Sequence, residues 1–342
     1  MVFSMTNAVN NSIVAIKRDM AGMLSGTEVY MTHGNGTGAQ TVDPLGSQGS
    51  VILSGDGRFL FAVNAGSNNI SSFLVQQGRL MLVDVVYSGG LRPNSLATID
   101  NFLYVTNSGD ATQPSNVTGF HVSADGHLSQ ISGGAMPLSA AIAGPGCVVI
   151  SNLGRKLVVS EKTTNVLSIF QVQGDGTLLL LKTYLSIGEV PFGSAFFLNN
   201  NPLLVSEAGP NALSSYNVAA DGVLTFISGS VLNNQKATCW VSVDSKGKHA
   251  YTSNAGSGTI TDYLINNDGS LTAIGSIPST TQGTGAPLDS AIDKSGQNFY
   301  VLNGNEGSIS AFKIDENGHL SLLQVYKDTK LPQVGAQGLA VL

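Results

Sequence analysis

Two glutamates stand out in this chain because they interrupt a row of asparagines. Short apolar runs end at Asn7, Asn64, Asn107, Glu161, Glu207, Asn254 and Asn303. A carboxylate in such a row is costly to desolvate unless it has a partner or a task. Glu207 is the leading candidate for a general acid/base. Glu161 follows, although the adjacent Lys162 offers it a partner. Arg92 can bind a carboxylate bidentately, or can tie down the Gly89-Gly90 loop. The asparagines have a structural reading, since an Asn at a strand end bonds the next turn. Asn64, Asn107, Asn254 and Asn303 are nevertheless candidates for contact with a ligand. The same holds for Gln48, Phe192, Cys239, Trp240 and Gln337, which open or directly follow the start of other apolar runs. Trp240, the only tryptophan, either packs in a core or stacks on a ligand. His33 is the one histidine expected near these residues. No Ser-His-Asp or Cys-His spacing for nucleophilic catalysis is present.

A repeated element must bring these residues together. A glycine turn recurs as Gly22, Gly78, Gly126, Gly176, Gly222, Gly269 and Gly318, each followed two residues later by leucine. Asp-Gly and Asn-Gly at most of these turns predict tight two-residue hairpins. The period points to a solenoid, propeller or array. Each unit reads as four short strands, as in Gly49–Leu53, Phe59–Val63, Ile70–Val75 and Leu80–Val83, which is one propeller blade. Blades are expected near 47–90, 91–141, 142–188, 189–235, 236–283 and 284–335. Residues 2–33 hold three strands of a further blade, and 336–342 resemble its missing inner strand. The chain is therefore read as one all-β domain, a seven-bladed propeller of four antiparallel strands per blade. Its terminal strands share one blade and remove the open edges. Strand starts and ends then converge on one mouth of the central channel, where a small-molecule ligand is expected.

Composition narrows the functions. The chain has 342 residues, a net charge of −6 and only 11% charged residues. With no basic cluster, nucleic acid is not expected as a partner. No apolar run reaches the ~20 residues of a membrane helix, so no membrane partner is expected either. The start of the chain lacks the features of a signal peptide. Sequons at Asn10, Asn35, Asn69 and Asn116 leave secreted and cytoplasmic locations both open. Cys147 and Cys239 give no zinc spacing and read as buried free thiols. No cofactor or metal is expected, although calcium held by Glu and Asn oxygens is a minor alternative. A monomer is expected.

The repeated stretches Phe61-Ala62-Val63-Asn64-Ala65-Gly66-Ser67-Asn68 and Tyr251-Thr252-Ser253-Asn254-Ala255-Gly256-Ser257 resemble the blade signature of the seven-bladed lactonase family. That family includes 6-phosphogluconolactonase-like proteins and fungal 3-carboxymuconate lactonizing enzymes, and the resemblance spans essentially the whole chain. It implies a lactone hydrolase, cyclase or isomerase. The family's site glutamate matches Glu207. Its histidine, in a Gly-Cys-His-like segment, falls near Gly146. Its arginine, in a Gly-Pro-Arg-like segment, falls on Phe192. Losing those two groups argues against hydrolysis of a sugar-phosphate lactone and for a less charged, mostly apolar oxygenated ring. A non-catalytic propeller that binds a small ligand or a protein is the alternative.

Overall fold

The computed structural model describes residues 1–151, 153–197 and 202–342. These residues form seven four-stranded antiparallel sheets, arranged as the blades of a propeller. Blades are numbered 1 to 7 by their inner strands: Val51–Leu53, Pro93–Ile99, Pro145–Ile150, Pro191–Phe196, Thr238–Val243, Pro287–Ile292 and Gln337–Val341. The last of these pairs with Val2–Met5, in the register Val2↔Val341 and Phe3↔Ala340. Blade 7 thus takes its inner strand from the C-terminus and the other three strands from the N-terminus. That pairing closes the ring and leaves no unpaired seam between first and last blade.

The second strand of each blade carries the core. Phe59–Asn64, Phe102–Asn107, Lys156–Glu161, Pro202–Glu207, His249–Asn254 and Asn298–Asn303 are buried at every position. Such strands read as near-continuous apolar runs because both sheet faces pack against neighbouring blades. Burial of each large side chain stabilises by about 1.5–3 kcal/mol. Outer strands are largely exposed, as in Leu178–Leu185.

The glycine turns differ from the expected two-residue hairpins. Only Gln77-Gly78 joins its strands in two residues, with φ of 51° and 78°. The other six turns use five-residue loops, in which the glycine N–H donates to the carbonyl three residues back, as Gly126 does to Ser123 (3.0 Å). Asp or Asn precedes the glycine in five of the six, and the left-handed φ falls on the glycine itself, 93° at Gly126. A type I turn followed by a glycine bulge fits that geometry. These turns also join neighbouring blades. The hydroxyls of Tyr104, Tyr251 and Tyr300 donate to the carbonyls of Gly176, Gly318 and Gly22 on the adjacent blade.

Candidate site at the channel mouth

The residue closing each second strand points along the seam between blades. The Asn64 amide donates to Asn69 and Ser71 (both 2.8 Å) and accepts from Asn11 (3.0 Å). Asn107 exchanges bonds with Ser88 and Asn116, Asn254 with Thr238, Asn233 and Thr261, and Asn303 donates to Ser308 and Ser310. All four are caps that fasten a blade to its own third strand; Asn107 and Asn254 also bond the segment that enters their blade, and Asn64 also bonds Asn11 of blade 7.

The two glutamates occupy the same structural position. Glu207 is fully buried. Its Oε1 accepts from Gly188 N–H (3.0 Å) and Ser214 (2.6 Å), and its Oε2 accepts from Ser230 (2.6 Å). Glu161 accepts from Ser139, Ser168 and Thr164. Their lone pairs go to hydroxyls that the asparagine blades satisfy with an amide. Lys162 does not partner Glu161. Its ammonium turns the other way, to the carbonyls of Gly46 and Pro145 and onto the ring of Phe192 (4.9 Å). Arg92 is exposed with φ of 55°, and its guanidinium donates to the carbonyl of Gly109. It thus secures a rim loop of blade 2. His33 is exposed at φ of 57° in the loop that follows blade 7.

The other predicted residues do converge. In six of the seven blades the inner strand bulges near its mouth end, between Pro93 and Ser95, Pro145 and Cys147, Pro191 and Ser194, Thr238 and Trp240, and Pro287 and Ser290, with a matching shift opposite Gln337. A bulge re-aims side chains. Here it delivers Asn94, Phe192, Cys239 and Asp289 to the axis. Phe192 and Trp240 meet edge to face at 4.9 Å and form one apolar cluster with Cys239 and Leu288, against which Val42 packs.

Across this mouth lies the chain's own segment Gly46–Gly49. The Gly46 carbonyl accepts from Lys162 of blade 3, and the Ser47 carbonyl from the Trp240 indole of blade 5 (3.0 Å). Ser47 donates to the Asn94 carbonyl of blade 2 (2.7 Å). Gln48 donates to the Ser194 carbonyl of blade 4 (2.9 Å) and accepts from Val241 N–H (2.9 Å). Gly49 N–H donates to Asp289 Oδ1 of blade 6 (2.8 Å), and the Gln337 amide of blade 7 reaches Val42 O (3.3 Å). Gly46–Gly49 is thus bonded to five blades, and Val42 to the sixth; the segment 42–49 sits on the axis and plugs the channel.

Three ionisable groups surround this plug, and the sequence reading missed them as a set. Burial pushes the Asp43 carboxyl up to about 6, against the Lys162 ammonium and hydrogen bonds from Gly46 N–H and Gln337. Burial lowers Lys162, opposed by the charge of Asp43. Asp289 accepts from two backbone N–H groups, Gly49 and Gly338 (3.2 Å), yet burial pushes it up to about 7, with Asp43 adding to the rise. Both thiols are pushed up by burial, Cys147 to about 12, so neither is a ready nucleophile. Asp43 and Lys162 are only half buried. Among the described residues, no three His, Cys, Asp or Glu side chains are placed to hold a metal ion. The recurrent Pro-x-x start of four inner strands was the available signal for Asn94 and Asp289. Asp43 lies in a loop with no repeat to align it.

The family model for the seven-bladed β-propeller lactonases matches residues 5–136 and 232–335. That is more than half of the chain, which belongs to this family. A structure from Bacteroides fragilis, provisionally assigned as a 6-phosphogluconolactonase, aligns at a TM-score of 0.74 with 19% identity, covering 99% of this chain and 96% of that one. The periplasmic gluconolactonase of Pseudomonas aeruginosa aligns at 0.69 with 17% identity, covering 98% and 99%. A Lactobacillus plantarum protein aligns at 0.73 with 16% identity, covering 99% of each chain. At these identities the likeness concerns the fold. No curated protein matches the sequence.

Proposed function

We propose that this protein is a lactone-active enzyme of the lactonase family, working at the channel mouth on a small, mostly apolar oxygenated ring. The observation that carries this reading is that Asp43 and Lys162 meet the same residue beside Phe192: Gly46 N–H donates to Asp43 Oδ1 (2.9 Å), the Gly46 carbonyl accepts from Lys162, and the ammonium lies 4.9 Å from the Phe192 ring centre. A carboxyl with a pKa near 6 is suited to proton transfer close to neutral pH. A partly desolvated ammonium stabilises negative charge better than one in water. For ring opening, Asp43 takes a proton from water, whose oxygen adds to the lactone carbonyl. Lys162 stabilises the resulting oxyanion, and the ring C–O bond then breaks as the alkoxide is protonated, leaving a hydroxy acid. Phe192 and the Val42 side of the plug offer an apolar wall to the ring. Cyclisation or isomerisation would use the same two charges in a different order.

Glu207 is the competing acid/base. Its carboxylate already accepts three hydrogen bonds and has no exposed surface, which favours Asp43. Turnover of aliphatic and ring-fused γ- and δ-lactones by wild type, Asp43→Asn, Lys162→Met and Glu207→Gln separates the two. The expected result is a loss of roughly 10²-fold or more in kcat for the first two variants, in the range for a general acid/base, with Glu207→Gln close to wild type. Activity that survives Asp43→Asn and disappears with Glu207→Gln would reverse the assignment. A second reading, a non-catalytic binding propeller, is favoured by the plug, which fills the channel with the protein's own chain. Absence of turnover across the panel, together with saturable ligand binding, would support it.

A further inference from the structure

The seam between blades 5 and 6 contains a buried charge with no repeat counterpart. Asp262 lies on the third strand of blade 5, Thr259–Ile265, opposite Tyr251 of the second. The same register position in the other blades holds Ala15, Ser72, Gly119, Ile169, Ser215 and Ala311. All six are uncharged and five are small. Ser72 and Ser215 spend their hydroxyls on the carbonyl of a neighbouring glycine turn, Gly126 and Gly269. In blade 5 the Tyr251 hydroxyl takes that role with Gly318, so the fold does not need a polar group at 262.

Asp262 is only partly satisfied. Its Oδ1 bonds His249 Nδ1 at 2.8 Å, with both side chains about nine-tenths buried. Its Oδ2 is buried and has no hydrogen-bond partner. Nδ1 of the exposed His319 forms a long ion pair with it, at 3.6 Å. A buried carboxylate oxygen in a long ion pair with an exposed imidazole, without a hydrogen bond, is incompletely satisfied. Burial accordingly raises the carboxyl, while the two histidines hold it down.

The residue paired across from Asp262 on the outer strand is Gly275. A Cβ placed there would meet nothing within 4 Å. That missing side chain opens a cleft of about 260 Å³ walled by Ile260, Ile274, Ile277 and Leu320, with Asp262, Ser276 and His319 also on its lining. An apolar cleft with one underused anion selects a ligand with a matching cation and an apolar body. Both imidazoles direct Nδ1 to the carboxylate they share, so they do not converge on a metal.

We propose that this cleft binds a small primary amine with an aliphatic or aryl-alkyl body. Its ammonium donates to Asp262 Oδ2 in place of the distant His319, and its carbon chain lies along the isoleucines. Ser276, whose hydroxyl shares a hydrogen with Thr261 (2.8 Å), supplies a second polar contact at the cleft wall.

Calorimetric titration of the whole chain with 2-phenylethylamine and with its neutral counterpart 2-phenylethanol tests the site. The expected result is saturable amine binding, with the alcohol weaker by about tenfold or more. Asp262→Asn retains an acceptor for His249 and should weaken the amine by a similar factor. Gly275→Val places a β-branched residue where a strand accepts it and should abolish binding without loss of folding, read by circular dichroism. Equal binding of amine and alcohol, undiminished binding to either variant, or no amine binding up to about 10 mM would each overturn the proposal. None of these readouts depends on lactone turnover.

Discussion

Replacing Asp289 with asparagine should flatten the pH dependence of stability in a calculable way. In the folded ring, burial raises this carboxyl from the usual 3.8 to about 7. The folded protein therefore holds a proton there that the unfolded chain releases above pH ~4. Stability contributed by this group is complete below pH ~4 and is lost as pH rises towards 7. The difference of roughly 3 pKa units corresponds to about 4 kcal/mol at ~1.36 kcal/mol per unit. An unfolding entropy of ~2.1 cal/mol/K per residue gives about 0.7 kcal/mol/K for a chain of this length. Between acid and neutral pH the group then lowers Tm by about 6 °C. Asp43, pushed up to about 6, adds a change of the same sign over a narrower window. Asp289→Asn keeps an acceptor for Gly49 N–H but turns an amide towards Gly338 N–H. That unmet donor costs about 1–3 kcal/mol at every pH. The variant should thus be less stable at pH 4.5 and should lose most of the wild-type decline between pH 4.5 and 8. Thermal unfolding followed by circular dichroism at several pH values gives both slopes. Identical slopes in wild type and variant would refute the claim that this carboxyl is held protonated by its surroundings.

Other consequences are open to measurement. Glu207→Ala leaves Gly188 N–H and the hydroxyls of Ser214 and Ser230 without their acceptor; a loss of about 3 kcal/mol or more in urea unfolding is expected. Glu207→Gln, which keeps an acceptor, should lose much less. If Asp43 is the base, the pH–rate profile of lactone opening should rise with an apparent pKa near 6, and Lys162→Met should lower the rate without removing that limb. Trp240→Phe deletes the indole N–H that holds Ser47 O (3.0 Å), and should raise proteolytic cleavage within residues 40–48 before any global unfolding. Deleting residues 337–342 removes the inner strand of blade 7 and exposes the edge of Val2–Met5, so aggregation or unfolding of the whole ring is expected.

Much of the architecture was legible because each blade restates it. A glycine with positive φ, a leucine two residues on and an apolar second strand recur often enough to reveal the ring and its closure through residues 337–342. The detailed turn geometry was not legible, since Asp-Gly suits both a two-residue hairpin and a five-residue loop with a terminal bulge. The site was harder to read for a definite reason. Repeat position locates a residue along a strand but not the face it takes, and second-strand side chains alternate between two blade seams. Glu207 and Glu161 therefore share a position with Asn64 and fold into the same cap. Phe192, Trp240, Cys239, Gln48 and Gln337 could be grouped from the sequence because strand starts fall at one end of the blades. Asp43 was invisible because its placement depends on how a non-repeating loop crosses the axis.

That crossing has a kinetic consequence. The partners of Gly46–Gly49 lie on blades that follow it in the chain, from Asn94 to Asp289. The segment therefore has no complete seat until blade 6 is in place, although it precedes all of these blades in the chain. It acts as a keystone, set only after the arch exists. Contacts formed that late are absent from the folding transition state and weigh mainly on the rate of unfolding. Weakening the keystone, as with Gln48→Ala, should shorten the lifetime of the folded ring while leaving its folding rate nearly unchanged, as the two arms of a denaturant chevron would report.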